Sequence, residues 1–196
     1  MRPHGYKGFS LIEALLIVAI VGLIASAAIP AFSSIHRRSA VRAASKEMQA
    51  IFHLARSRAI ARGTNTGVKF IRFEGDWFYA IYDDVDGDGV RNDDIDDGTD
   101  HCFRKPRLLL PHAGLATIGL PNRDLIAPDG EKLPAGSSPI RFNRSAICSF
   151  SPMGESTPGS IYLTDGEGAV YALRVFGGSA RIRLLRHLGG RQWEQR

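Results

Sequence analysis

Hydrophobic positions divide the chain into three regimes. From residue 9 to residue 29 nearly every position is apolar, and the one carboxylate, Glu13, lies close to the start. That length matches the roughly 20 residues a helix needs to cross a bilayer. An ionised carboxylate inside such a run is costly unless something pairs with it, so Glu13 marks a functional position. Over residues 31–62 the run gives way to a stripe. Val41, Ala44, Met48, Ile51, Ala55 and Ala59 recur at helical spacing, with Arg38, Arg42, Lys46, Gln49, His53 and Arg56 off the stripe. Pro30, between the halves, removes one helical hydrogen bond and is expected to kink or loosen the helix. Gly63 is the expected left-handed cap.

After Gly63 the pattern changes to strands. Gly67-Val68-Lys69-Phe70-Ile71-Arg72-Phe73 and Trp77-Phe78-Tyr79-Ala80-Ile81-Tyr82 flank the turn Glu74-Gly75-Asp76 and predict a hairpin. An acidic loop is expected over residues 83–100. Residues 106–138 are rich in Pro and Gly and are expected to be loops with one or two short strands, from apolar pieces at 108–110 and 116–120. Residues 140–142 and 147–150 are weaker strand signals. Residues 160–164, 169–176 and 180–185 are three strand-like runs, separated by Asp165-Gly166-Glu167-Gly168 and Gly177-Gly178. They predict an antiparallel meander. The fold class is α+β: a long N-terminal helix, membrane-spanning in its first half and amphipathic in its second, packed on an antiparallel β-sheet domain.

Composition adds modest bounds. The chain has 196 residues, 44% of them hydrophobic and 23% charged, which fits one small globular domain beyond the helix and argues against wholesale disorder. A formal charge of +5 admits nucleic acid or an anionic surface as partners without requiring either. Two cysteines, Cys102 and Cys148, are too few for a disulfide scaffold. Outside the cytoplasm they can form one bridge, with two buried thiols as the alternative.

Catalytic chemistry has little support. The six histidines are scattered, and neither a His-x-x-x-His nor a Cys-x-x-Cys spacing appears. Gly-x-Ser-x-Gly and phosphate-binding glycine loops are missing as well, so the sequence does not read as an enzyme. Asp84-Val85-Asp86-Gly87-Asp88-Gly89 is a different matter. It places three carboxylates at alternate positions, and Asn92, Asp93 and Asp96 can add ligands. A hard cation such as calcium takes six to eight oxygens, and such a loop supplies several. Ile95 stands where an EF-hand would have its bidentate Glu, so the choice is between a calcium-stabilised loop and a solvated acidic one. Towards the C-terminus Arg174, Arg181, Arg183, Arg186, Arg191 and Arg196 face a single acid, Glu194. Arg181 and Arg183 share one face of a strand and can straddle phosphates, with Arg186 a further candidate. A basic edge that discourages sheet-to-sheet pairing is the simpler alternative.

The start Lys7-Gly8-Phe9-Ser10-Leu11-Ile12-Glu13, followed by the apolar run, resembles the type IV prepilin signal shared by type IV pilins and the pseudopilins of type II secretion. The resemblance implies that a membrane prepilin peptidase removes residues 1–8 by cutting between Gly8 and Phe9, and that Phe9 is then N-methylated. It further implies that Glu13 meets the N-terminal amine of a neighbouring subunit when helices bundle in a filament. The leader would be cytoplasmic, residues 9–29 would cross the bacterial inner membrane once, residues 30–62 would be the amphipathic half of the helix, and residues 63–196 a periplasmic β-rich domain. Four further stretches resemble the H-type pseudopilins and the related FimT-type minor pilins. They are Ala55-Arg56-Ser57-Arg58-Ala59-Ile60, Phe150-Ser151-Pro152-Met153-Gly154, Gly159-Ser160-Ile161-Tyr162-Leu163 and Gly178-Ser179-Ala180-Arg181-Ile182-Arg183. The implied function is a minor pseudopilin of a secretion pseudopilus or type IV pilus, with other pilins as partners. The alternative is a minor pilin that binds DNA for uptake. DNA-binding FimT-type pilins carry Gly-Arg-x-Arg where this chain reads Ala180-Arg181-Ile182-Arg183, so the glycine is lost.

Overall fold

A computed structural model describes residues 10–108 and 115–196, with the side chains of residues 27–31 left out of the description. The expected apolar piece at 108–110 therefore falls mostly outside the described residues. The chain forms two compact units, residues 1–37 and 38–196. Helix α1 is Leu11–Arg62 and is assigned through Pro30. The strands that follow it are β1 (Thr66–Phe73) and β2 (Asp76–Asp83), then a short helix α2 (Asn92–Asp97), then β3 (His101–Leu108). Four two-residue strands come next, β4 (Thr117–Ile118), β5 (Leu125–Ile126), β6 (Lys132–Leu133) and β7 (Ile140–Arg141). The chain ends with β8 (Ile147–Phe150), β9 (Gly159–Thr164), β10 (Val170–Phe176), β11 (Arg181–Gly189) and β12 (Gln192–Gln195).

In the first unit the apolar side chains of α1 are exposed. Leu11 is 81% and Leu23 75% accessible, and Leu15, Val18 and Ile24 are exposed as well. Among the described residues no helix is long and apolar enough to cross a membrane. The fully described part of the apolar run, residues 11–26, is shorter than the roughly 20 residues a bilayer requires.

In the second unit the stripe does what its spacing predicts. Val41, Ala44, Met48, Ile51, Ala55 and Ala59 are buried in the main core, together with Phe52. Two antiparallel sheets share that core, one in the order β3-β2-β1-β8 and one in the order β12-β11-β10-β9-β4, with β7 also on β9. Phe52 makes the junction: its ring lies 6.2 Å from Phe70 of β1, 5.7 Å from Phe142 and 6.0 Å from Phe150 of β8, centroid to centroid. The helix stops where expected, with Gly63 at φ 72° and its N–H on the Ala59 carbonyl. A buried ion pair fixes the end of α1. Arg58 Nε donates to Asp83 Oδ1 at 2.8 Å and its Nη2 to Oδ2 at 2.6 Å, while the guanidinium lies over the Phe103 ring. Burial pushes the Asp83 carboxyl up, but Arg58 and Thr66 more than offset this and hold it below its ordinary value.

The expected hairpin and meander form. β1 pairs with β2 across the turn at Glu74-Gly75, and β9, β10 and β11 pair in sequence order. Four strands, β3, β5, β6 and β12, arise where the sequence suggested none. β3 carries Pro106 and little apolar alternation because it is an exposed edge strand, where a missing donor is tolerated. β12 is the other edge, held by Trp193, whose Nε1–H donates to the Ile126 carbonyl at 2.9 Å. β5 and β6 form a small hairpin whose Leu125 and Leu133 cover the outer face of the second sheet.

Of the two alternatives for Cys102 and Cys148, a bridge or two buried thiols, neither holds in full, and no bridge forms. Both are free thiols, one exposed on β3 and one buried on β8. Strands β2 and β1 stand between them in the sheet. Three strand spacings of about 4.8 Å exceed the ~7 Å that a disulfide can span between Cα atoms. Burial pushes the Cys148 thiol well above its ordinary pKa, so it stays protonated.

Gly159 shows how closely the strands are packed. A Cβ built there would collide with the Arg141 backbone carbonyl and the Phe142 ring, neither of which can retreat cheaply. Gly159→Ala should cost about 1–3 kcal/mol of unfolding free energy by chemical denaturation. Gly168→Ala, where a Cβ meets nothing, is the comparison and should stay close to wild type.

Candidate assembly interface

The N-terminal end of α1 is built by Ser10 and Glu13. Glu13 is the third residue of the helix, and its Oε2 accepts the Ser10 backbone N–H at 3.0 Å, while the Ser10 carbonyl accepts from Ala14 N–H at 3.1 Å. This is half of a capping box, and the carboxylate also sits favourably at the positive end of the helix dipole. The signature Ser-x-x-Glu ahead of an apolar run is present at Ser10-Leu11-Ile12-Glu13. Reading Glu13 only as a charge in an apolar run missed its local partner. Gly8 and Phe9, the expected cut site and methylated terminus, lie outside the described residues. Around Glu13 the exposed Leu11, Ile12, Leu15 and Leu16 form a continuous apolar surface. A surface of that kind calls for lipid or other apolar helices to cover it.

The basic C-terminal strand separates into two faces. Arg181 and Arg183 project from one face of β11, as alternation requires. Across the ladder Arg183 stands opposite Arg174 and Arg181 opposite Phe176. All three guanidinium groups lie 5.4 Å from the centroid of the Phe176 ring, a shared cation–π contact that sequence reading had not assembled. Arg174 is also paired with Asp129 at 3.1 Å. Arg183 Nε is buried with no hydrogen-bond partner among the described residues. Arg186 does not join this group. One residue out of phase, it lines a separate cavity of about 460 Å³ with Arg38, Arg42 and His187. Alternation along β11 puts Arg186 on the face opposite Arg181 and Arg183.

The acidic loop is ordered by its own backbone and by the sheet. Asp84 is buried, and its carboxylate accepts N–H groups from Gly87 at 2.7 Å and Gly89 at 3.0 Å and the Asn65 amide at 2.7 Å. Asp86 and Asp88 join it, with oxygens of all three within 4.8 Å of one another. Asn92 is turned away from a ligand role because its Oδ1 accepts from the Lys69 ammonium. Asp93 is exposed on the first turn of α2 and falls outside that group of carboxylates. Ile95, in the place of an EF-hand glutamate, packs with Val90 on Ala80, Tyr82 and Ile147 over the outer face of the first sheet.

Comparison with known proteins bears on the arrangement as a whole. Residues 44–180 match the family described as Type II transport protein GspH, and residues 3–29 match the prokaryotic N-terminal methylation motif. No curated protein and no solved structure matches the chain significantly. The first match begins on the buried stripe of α1, runs through the first sheet and through β4, β9 and β10 of the second, and stops just before Arg181, leaving β11 and β12 outside it. With more than half of the chain inside that match and the methylation motif at its head, the protein belongs to the Type II transport protein GspH family and is a minor pseudopilin of type II secretion.

Proposed function

We propose that the protein is made as a precursor, cut between Gly8 and Phe9, methylated on Phe9, and added to a filament through the N-terminal part of α1. One observation carries this reading: the methylation motif coincides with a helix whose large apolar side chains are exposed along residues 11–24. Before assembly the inner membrane covers that surface, and residues 9–29 cross it once, leaving the globular unit in the periplasm. After assembly, neighbouring pseudopilin helices cover it instead. Membership of a structural family supports a role in assembly, and we assign the chain no catalytic activity.

Glu13 sets the register in this scheme. Free, it is satisfied by its own helix end through Ser10 N–H. In the filament a neighbour's N-terminal ammonium provides a charge-assisted partner, stronger than the neutral amide it replaces. In a low-dielectric bundle an unmatched carboxylate is costly, so only the paired register is tolerated.

Capture of DNA through Arg181 and Arg183 has less support. Arg186 stands on the other face, Arg174 is engaged with Asp129, and the family match ends ahead of this strand.

Three outcomes are expected. Gly8→Glu should leave the full-length precursor uncut, seen as an unchanged mass in membranes that contain the peptidase; normal cleavage would overturn the scheme. Glu13→Leu should be cut normally but lose co-purification with other pseudopilins by at least tenfold. Retained co-purification would mean that the carboxylate does not set register. In a gel-shift titration at about 0.15 M salt, wild-type protein should not retain duplex DNA. Retention that Arg181→Ala with Arg183→Ala abolishes would favour the DNA-binding reading instead.

A further inference from the structure

The loop from Asp84 to Asp100 carries eight aspartates against one arginine, Arg91, in a chain whose formal charge is +5. Like charges at that density repel one another and should open the loop. It is instead curled tightly on the outer face of the first sheet, with Val90 buried and Asp84 holding the Gly87 and Gly89 amides.

Asp84, Asp86 and Asp88 bring carboxylate oxygens within 4.8 Å of one another. A separate observation concerns Asp100, at the far end of the loop. It is only 3% exposed, and its Oδ2 accepts the Arg91 N–H at 3.4 Å. Its Oδ1 is buried and has no hydrogen-bond partner among the described residues. The Val85 N–H also reaches this carboxylate, so the two backbone groups that hold it bracket Asp86 and Asp88 in the chain. The carboxylate therefore sits against the loop backbone at Val85 and Arg91, where Asp84 and Asp94 repel it. Asp94 is only half-buried, but its Oδ2 is buried with no hydrogen-bond partner among the described residues, and Asp88 and Asp86 repel it. A buried carboxylate oxygen that has no hydrogen-bond donor and stands near other carboxylates is costly unless a cation neutralises it.

We propose that this loop is a calcium site in which Asp84, Asp86, Asp88, Asp94 and Asp100 supply carboxylate oxygens. The donor set is all hard oxygen on a Gly-rich loop, which suits the larger, more adaptable coordination sphere of Ca²⁺ better than the strict octahedron of Mg²⁺. Arg91 pairs with Asp88 on the surface, and both side chains are exposed enough for the guanidinium to move out as the ion enters. The ion ties the end of β2 to the start of β3 and holds Val90 and Ile95 down on the sheet. The site stands independently of the protein's role in secretion. Sequence spacing nominated Asn92 and Asp93 as ligands. Asp94 and Asp100 take their place because each has a buried carboxylate oxygen with no hydrogen-bond partner among the described residues, although both lie outside the close group of Asp84, Asp86 and Asp88.

The test uses full-length protein in detergent micelles, stripped with chelator and titrated with CaCl2 by calorimetry and thermal melting. Calcium should bind with Kd below about 1 mM. It should raise the melting temperature by about 5–10 °C at a hundredfold excess over Kd, with MgCl2 markedly weaker. Asp88→Asn and Asp100→Asn should each weaken binding at least tenfold. Asp93→Asn, in the same loop but outside the set, should leave it unchanged. If Asp100→Asn fails to fold, the exposed Asp86→Asn decides in its place. No binding at 1 mM calcium overturns the proposal. So does an equal loss in Asp93→Asn, which would mean diffuse counter-ion attraction only.

Discussion

The two sheets of the globular unit share one floor, the buried stripe of α1 from Val41 to Ala59. Both close on the same helical face, and Phe52 packs there against Phe70, Phe142 and Phe150. This makes the helix the organising element in two senses. Its C-terminal part supplies the buried stripe of the core, and its N-terminal part carries the exposed apolar surface that we propose is used in assembly. The Arg58–Asp83 pair adds direction to the packing. A buried carboxylate at the end of β2, met by two guanidinium contacts, fixes the end of the helix against the first sheet. Breaking one partner of such a pair is costlier than the pair itself is stabilising.

The outer faces of the sheets are covered by different devices. The second sheet uses the β5–β6 hairpin and Trp193, both ordinary apolar cover. The first uses Val90 and Ile95, two apolar anchors within a strongly acidic loop. That combination is unusual, since electrostatic repulsion works against the burial that the anchors provide. The calcium proposed for this loop would remove the conflict and make the loop a clasp between β2 and β3.

The candidate residues were legible to different degrees. Glu13 was conspicuous because charge inside an apolar run is rare, and the Ser10 contact follows from a four-residue signature. Arg181 and Arg183 share a face by strand alternation, and the same rule removes Arg186 from their group. Phe176 and Arg174 join them only because β10 pairs with β11 in one register. No local pattern contains that information. Asp100 is separated from Asp84 by α2 and could not be placed until the loop's path was known.

By itself, the sequence determined the long helix, its stripe and cap, the hairpin, the meander and the N-terminal methylation motif. All of these rest on periodicity or on contiguous residues, where side-chain direction follows from backbone geometry. Tertiary structure decided what depends on pairing between distant segments. It made β3 and β12 strands, because edge strands draw their stability from a partner's hydrogen bonds and need no apolar alternation. It kept Cys102 and Cys148 apart, because two strands lie between them. It also chose which aspartates of the acidic loop face one another, because burial of Val90 and Ile95 sets the loop's path and the carboxylates follow.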